Sequence, residues 1–305
     1  MKFKEELFEK YEIRKSKKQK TEFIEWVKDI AKTNGWEANV ENGSLGVRNI
    51  VIGNPDEAEV IFTAHYDTCA GMIFPNFITP KNVFVYLIYQ LLLCVVLMVP
   101  VFVISFLIGM LLPGYIELAF AISYLVFLLE LGLLMVGPAN KHTANDNTSG
   151  VATVLACLEQ FSSKDKVAFI LFDLEEVGLV GSGAFASKHK NVVKNTLLVN
   201  FDCVSDGDTM LFVLNKKTKD LVNTFKESYE SPRDVKTDVV YKGVFYPSDQ
   251  TAFKKGIGVC AMKKNNIFKS GYIDRIHTKN DTVFREENIK YLVEGSYKLY
   301  KNITK

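Results

Sequence analysis

At 305 residues and 34.5 kDa the chain is long enough for one large or two small domains with a buried core. Its 37 basic and 35 acidic residues leave a net charge of only +2 and are interspersed rather than massed, which excludes the basic footprint of a nucleic-acid-binding protein. A mean hydropathy of +0.07 beside 24% charged residues requires the surplus apolar sequence to be concentrated somewhere, and it lies between Val83 and Val136. The five cysteines are odd in number, show no CxxC spacing and mostly sit in apolar runs, the pattern of reduced, buried thiols. The start, Met1-Lys2-Phe3-Lys4-Glu5-Glu6, lacks a hydrophobic stretch, so no secretory signal is expected.

In chain order, apolar residues at Leu7, Phe8 and Tyr11 and again at Phe23, Ile24, Trp26, Val27 and Ile30 predict one or two amphipathic helices over 3–32. The basic run Lys15 to Lys20 between them reads as a solvated helix face or loop, with contact to anionic lipid as the alternative. Asn34-Gly35 ends the helix, and Trp36 to Ile52 alternates around Asn42-Gly43 as a hairpin does. Glu59 to Ala64 is a buried strand that delivers His65 at its carboxyl end, where open α/β sheets place their ligands.

From Val83 to Ile116 there is no charged residue. A span needs about 20 apolar residues, and Val83–Leu112 and Tyr115–Val136 supply two such lengths around Gly109-Met110-Leu111-Leu112-Pro113-Gly114. The reading is an inserted hairpin of two transmembrane helices over 83–136, with residues 1–82 and 137–305 forming one domain. Lys81 and Lys141 flank the hairpin while its tip is uncharged, which places that domain on the cytoplasmic side of a cell membrane. The competing reading is a hydrophobic lid or dimer clamp that never crosses a bilayer. Pro100 is a candidate kink. Glu117 is expected at the interface near the tip, and Glu130 facing the enzyme or a partner helix.

Beyond the hairpin, strands and helices alternate. Strands are expected at 166–173, 196–202, 209–214, 239–242 and 258–262, and helices at 151–161, 181–190, 219–229, 249–255 and 286–300. The fold class is therefore α/β, a three-layer α/β/α sandwich with a mixed sheet.

The chemistry gathers at a few polar points. His65 alone would be an ordinary hydrogen-bonded residue, but Asp67 two positions on supplies the carboxylate that orients a metal-bound imidazole. Asp146 lies between Asn145 and Asn147 just before a helix, as a cap or as a carboxylate bridging two metals. Glu175-Glu176 follows a buried strand, either as a solvated turn or with one carboxylate ligating metal while the other moves a proton. Asp202 ends the next strand, and His277 stands in a polar loop. Two histidines with these carboxylates suit a two-zinc site, and two open three-ligand sets sharing Asp146 use all of them. Cobalt or manganese would fit the same donors. His142 and His189 read as spectators. Tyr246, Phe245 and Phe253 read as core aromatics, with a place in the substrate pocket as the alternative.

Phe62-Thr63-Ala64-His65-Tyr66-Asp67, Ala144-Asn145-Asp146-Asn147-Thr148-Ser149-Gly150, Phe172-Asp173-Leu174-Glu175-Glu176-Val177-Gly178 with Gly181-Ser182, Asn200-Phe201-Asp202, Ser248-Asp249 and His277-Thr278-Lys279-Asn280-Asp281-Thr282 together resemble the co-catalytic di-zinc aminopeptidases. These form the metallopeptidase family numbered twenty-eight, with a zinc exopeptidase-like fold. The resemblance covers Ala58 to Thr282 apart from the hairpin. It implies one zinc on His65 and Asp202, a second on Glu176 and His277, Asp146 bridging, Glu175 as general base and Asp67 orienting His65. It further implies cleavage of the amino-terminal peptide bond of a peptide substrate. The hairpin, inserted where that family has a short loop, turns the site toward a lipid bilayer and so toward peptides at the cytoplasmic membrane face. Two alternatives share the fold: a glutaminyl cyclase-like aminoacyltransferase working with one zinc, and a catalytically silent membrane scaffold. The complete double ligand set favours the peptidase.

Overall fold

The computed structural model describes residues 1–112, 114–230 and 235–305. Eight strands, β1 (Ala38–Asn42), β2 (Arg48–Ile52), β3 (Val60–His65), β4 (Val167–Phe172), β5 (Leu197–Phe201), β6 (Thr209–Val213), β7 (Lys236–Val240) and β8 (Gly256–Met262), form one mixed sheet. Their order is β1-β2-β4-β3-β5-β8-β6-β7. The central four, β4, β3, β5 and β8, run parallel, so their carboxyl ends share one end of the sheet. The hairpin β1–β2 and the pair β6–β7 extend the two sides.

The nine helices of the described residues are α1 (Lys4–Tyr11), α2 (Lys17–Thr33), α3 (Val83–Leu111), α4 (Ile116–Val136), α5 (Gly150–Gln160), α6 (Val180–Lys188), α7 (Lys190–Asn195), α8 (Val222–Ser228) and α9 (Glu286–Ile303). Strand alternation divides the core between two faces. Phe169 and Leu171 of β4 join Phe62, Val199 and Phe201 beneath Leu7, Phe23, Val151, Phe225 and Leu292 of α1, α2, α5, α8 and α9. Ala168, Ile170 and Phe172 join Ile61 and Leu198 against Phe185 of α6 and Val192 of α7. The result is the expected three-layer α/β/α sandwich.

Three expectations change. Lys20 is not solvated: Ser16 and Gln19 form a reciprocal cap that starts α2 at Lys17, and this register points Lys20 inward to Asp173 at 2.5 Å. The β7 strand begins at Lys236 rather than Val239, because parallel pairing with β6 fixes its register and an edge strand need not be apolar. The helix expected over 249–255 is a single turn, Asp249–Ala252. It ends at Phe253, whose backbone is extended with φ −111° and ψ 138°, and β8 begins at Gly256, where the chain passes so close to Gln250 that a Cβ would lie 2.0 Å from its carbonyl oxygen.

The segment 83–136 stands apart. The α3 helix continues through Pro100 and buries none of its side chains, while α4 buries only Ala119 and Ser123. The two pack on each other, joined by a hydrogen bond between the Ser105 and Ser123 hydroxyls. Both are long and apolar enough to cross a membrane. The α3 helix runs through Gly109, so the connection is shorter than expected, and Pro113 within it lies outside the described residues. Cys94 is exposed on α3, whereas the other four cysteines are free and buried.

Candidate metal centre and active site

His65 is the last residue of β3 and pairs with Phe172, the last of β4. Three and four residues beyond β4 come Glu175 and Glu176, and Asp202 directly follows β5. Parallel pairing thus brings four of the expected residues to one end of the sheet, and two loops add Asp146 and His277. The Asp146 carboxylate is the centre. Its Oδ1 lies 3.2 Å from His65 Nε2 and its Oδ2 lies 3.1 Å from His277 Nε2. Asp202 Oδ1 stands 3.7 Å from His65 Nε2 on one side, and Glu176 Oε2 stands 3.3 Å from His277 Nε2 on the other. All of them, with Glu175, line one cavity of about 140 Å³.

Backbone tethers explain why the turn holds its shape. Asn147 Oδ1 accepts from the amides of Gly150 and Cys203, and its Nδ2 donates to the Phe201 and His65 carbonyls. Asn145 Oδ1 accepts from the amides of Ser205 and Asp206. The two carboxamides therefore tie the Asp146 turn to the ends of β3 and β5. It is Asn147, not Asp146, that bonds the first amide of α5. Asp281 completes the turn by accepting from the amides of Asn145 and Asp146 at 2.8 and 3.0 Å. Gly150 is required there: a Cβ would meet the Phe201 carbonyl oxygen at 2.3 Å.

The Asp67 carboxylate takes the amides of Glu175 and Glu176 at 3.0 and 3.3 Å. His65 Nδ1 is nearer the Asp67 carbonyl oxygen, at 3.1 Å, than its carboxylate, at 3.6 Å. Leu174, Cys203 and His277 all adopt left-handed backbone, with φ of 55°, 57° and 64°. Such geometry costs non-glycine residues about 1–3 kcal/mol each, and here it is concentrated at residues in or next to the set.

Arg14 is the residue that sequence reasoning missed. Fully buried, it donates to the Tyr66, Tyr11 and Glu12 carbonyls and to the Thr148 hydroxyl, fastening the amino-terminal segment to the loops that carry Asp67 and Asp146. Nothing in a lone arginine beside a lysine-rich run signals this. Cys69 was likewise read only as a buried thiol, yet its sulfur lies within 4.8 Å of the ligand atoms of Glu176 and His277.

The electrostatics ask for positive charge. With a proton on Nδ1 facing a carbonyl, His65 turns an Nε2 lone pair toward carboxylate oxygens, an arrangement that needs a proton or a cation in between. Without a cation, burial lowers the His65 pKa, but Asp146, Asp202 and Asp67 together raise it well above the ordinary value. Burial likewise lowers His277, and Glu176 and Asp146 override it to bring the group to about 9. Burial, with the charge of Asp146, pushes Glu176 up to about 8, against the pull of His277. Glu175 is raised well above the carboxylate range by burial and by neighbouring acids. Glu176 Oε1 is also buried with no hydrogen-bond partner. Two imidazoles amid surplus carboxylates, one of them with an unpaired oxygen, are the nitrogen and oxygen donors that a divalent cation takes. The buried trio His65, Asp146 and Asp202 has its ligand atoms within 4.8 Å of one another.

Tyr246 lines the cavity and donates its hydroxyl to the Asp202 carbonyl. Phe253 is a core residue, and Phe245 is half exposed against Tyr86 of α3. His142 stands at the surface 4.0 Å from Glu12, and His189 pairs with Glu41 on the far side of α6. Glu117 is exposed in the first turn of α4, while Glu130 has one buried oxygen without a partner.

The sequence profile of peptidase family M28 matches residues 132–291, more than half of the chain. The chain belongs to peptidase family M28. The match contains Asp146, Glu175, Glu176, Asp202 and His277 but starts within α4, so in this M28 chain the hairpin separates His65 and Asp67 from the matched span and the fold reunites them. No curated protein matches the chain by sequence. Among solved structures it is similar to the LapA aminopeptidase of Legionella pneumophila, at 14% identity over 97% of this chain and 68% of that one, with a TM-score of 0.58. It is also similar to a leucine aminopeptidase precursor from Bacteroides thetaiotaomicron (12%, 97% and 92%, TM-score 0.58). A third is the glutaminyl cyclase of the same organism bound to N-acetylhistamine (12%, 96% and 93%, TM-score 0.59). At these identities the likeness is one of fold.

Proposed function

We propose that this M28 chain is a membrane-anchored, metal-dependent aminopeptidase that removes amino-terminal residues from peptides at the cytoplasmic membrane face. The observation that carries the reading is the Asp146 carboxylate with one histidine on each oxygen and a further acid beside each histidine. That arrangement supports two cations, zinc by donor type: one on His65 and Asp202, one on Glu176 and His277, bridged by Asp146. When bound, such a pair supplies Lewis-acid polarisation of a carbonyl and a nucleophilic water at neutral pH.

The chain's own residues do the rest. Glu175, with a pKa raised by burial, takes the proton of the attacking water and returns it to the leaving amine. Asp67 fixes the backbone of Glu175 and Glu176 through their amides and holds the Nδ1 side of His65 through its carbonyl. The hairpin 83–136 is the membrane anchor, and 1–82 with 137–305 form the catalytic domain. Lys81 and Lys141 at the hairpin base support a cytoplasmic orientation.

The test is mass spectrometry of a peptide pool, free and acetylated at the amino terminus, incubated with detergent-purified protein and zinc. Stepwise loss of single residues from free peptides only is expected. Glu175→Gln is expected to abolish turnover and keep metal, and Glu176→Gln to lose metal; equal metal loss in both would overturn the roles. A second reading is glutaminyl cyclisation, because the chain covers 93% of a glutaminyl cyclase as it covers 92% of the leucine aminopeptidase precursor, and the shared fold serves both chemistries. Ammonia release from amino-terminal glutamine without shortening would establish it.

A further inference from the structure

Of two loops that the proposed chemistry does not use, one lines the cavity and the other packs against it through Phe77 and Phe268. Residues 71–78 lead from the His65–Asp67 segment to α3; their Asn76 and Ile78 line the cavity, and Ile78 bridges to Ile273. Residues 264–270 follow β8 at the same end of the sheet, closed at their base by the pairing of Lys263 with Tyr272. Both loops turn apolar side chains outward: Ile73 is 92% exposed, Phe74 49% and Ile267 82%. The second loop is shaped to do so. Asn265 Oδ1 accepts from the amides of Ile267 and Phe268, making a tight turn with Ile267 at its tip and exposed Lys264 and Lys269 on either side.

These loops are fastened to the hairpin. The Phe77 ring lies 5.4 Å from Tyr89 of α3, 5.3 Å from Phe268 and 5.8 Å from Tyr272, and the Tyr89 hydroxyl donates to the Pro75 carbonyl. The 21 residues of α4 span about 31 Å, close to the roughly 30 Å of a hydrocarbon core, whereas the 29 residues of α3 span about 43 Å. Its surplus of roughly 13 Å belongs at the base. Tyr86, Tyr89 and Gln90 lie there, and tyrosines favour the interface, while the far end of α3 is apolar apart from Ser105. Tyr89 stands about 9 Å along the helix from Val83, so the hydrocarbon boundary falls at the level of the two loops.

We infer that the 71–78 and 264–270 loops seat in the leaflet from which the hairpin starts. Ile73, Phe74 and Ile267 reach the acyl boundary, and Lys264 and Lys269 meet lipid phosphates. The cavity mouth then lies at headgroup depth, and its substrate class is a peptide whose free amino terminus emerges from that same leaflet. The substrate part of this inference rests on the peptidase reading above; the depth of the loops does not.

The experiment uses the full chain in nanodiscs containing anionic lipid. In a Cys94→Ser background, which removes the exposed native thiol, an environment-sensitive fluorophore is placed at Ile73→Cys, at Ile267→Cys, or at Asp56→Cys near the opposite end of the sheet. Blue-shifted emission quenched by spin-labelled lipid is expected at the first two sites and not at the third. Emission like that of the Asp56→Cys control would overturn the inference. Protection from a soluble quencher without quenching by labelled lipid would assign the surface to a protein contact and would overturn it too. For function, Ile73→Ser/Ile267→Ser is expected to lower kcat/KM on an acyl-anchored peptide with a free amino terminus by about tenfold or more. Turnover of a short water-soluble peptide should stay unchanged. Equal loss on both substrates would show that the loops act on the pocket rather than on the bilayer. No turnover of the soluble peptide by the unaltered protein would sink the peptidase reading and the substrate class, while the fluorophore still decides the depth.

Discussion

Removing the metal should destabilise the folded protein by an amount that grows with pH. Without a cation, His65 and His277 have pKa values above the ordinary histidine value despite burial. Burial raises Glu175, Glu176, Asp249 and Asp281 above the ordinary carboxylate value, the last three to about 8, 7 and 7. A group whose pKa is higher folded than unfolded carries more protons in the folded state between those two values, so stability falls as pH rises through that interval. For His277, Glu176, Asp249 and Asp281 the intervals together lie between about pH 4 and 9, and His65 and Glu175 are shifted in the same direction. Asp146 and Asp67 are shifted the other way, with burial outweighed by the histidines. Their interval lies below about pH 4 and does not offset the trend. Cation binding needs neutral imidazoles and ionised carboxylates, so affinity rises over the same window in which the metal-free fold weakens.

A cation at a thousand times its Kd contributes about 4 kcal/mol per site, and a domain of this size gains roughly 2–4 °C per kcal/mol. Chelation at pH 8.5 should therefore lower Tm by about 8–16 °C for one site and more for two. At pH 5.5 the drop should shrink to a few degrees. Intrinsic fluorescence reports the right part of the molecule, because the only two tryptophans, Trp26 and Trp36, lie in the core against the sheet and outside the hairpin. A drop that is larger at pH 5.5, or absent at both values, would refute the reasoning.

Three substitutions test the frame around the centre. Arg14→Met strands the Tyr66 and Tyr11 carbonyls, while the Thr148 hydroxyl keeps Thr143; at about 1–3 kcal/mol per buried orphan it should cost at least ~2 kcal/mol, roughly 4–8 °C in Tm by the same fluorescence. Arg14→Lys should recover less than half of this, because one ammonium cannot span the same acceptors. Gly150→Ala pushes a methyl group into the Phe201 carbonyl and Asn147 and so displaces Asp146; a loss of about 100-fold in kcat/KM with reduced metal content is expected. Lys20→Met leaves Asp173 buried without its cation and should cost about 3–5 kcal/mol in denaturant titration; Lys20→Met/Asp173→Leu should not recover it, because the Arg48 and Leu174 amides lose the carboxylate they donate to.

The parts of the fold that were legible in the sequence are those where one residue type determines one outcome. β3, β4 and β5 are covered on both faces, so they stand as predominantly apolar runs, broken only by Thr63 and Asn200, and the polar residues at their ends are conspicuous for that reason. The edge strand β7 has no such run, and only its pairing with β6 places it. The same distinction holds in the site. His65, Asp202 and the Glu175-Glu176 pair could be located from strand ends, and Asp146 from its isolation after the hairpin. Arg14 and Asp281 do their work through backbone groups of distant segments, and backbone groups leave no mark on residue identity. Asp67 shows both cases: its proximity to His65 was predictable, but the bonds of its carboxylate to two amides beyond β4 were not.

The hairpin can be so long without disturbing the centre because its ends are clamped before it leaves. Ala70 bridges to Ala139, the Gly71 amide donates to the Pro138 carbonyl and the Asn140 amide to the Cys69 carbonyl. Residues 71 and 138 are thereby neighbours whatever lies between them, and the entropy of closing the intervening chain falls on the insertion rather than on the Asp67–Asp146 geometry. Lys15 adds a tie from the amino-terminal segment to the Met135 carbonyl at the last turn of α4. A short loop across the same clamp would leave His65, Asp146 and their tethers where they are. Residues 72–82 are not part of this insertion, because Asn76 and Ile78 line the cavity and the Met72 amide donates to the His277 carbonyl; a chain in which only residues 83–136 are replaced by a flexible linker should therefore keep its metal and its turnover of soluble peptides.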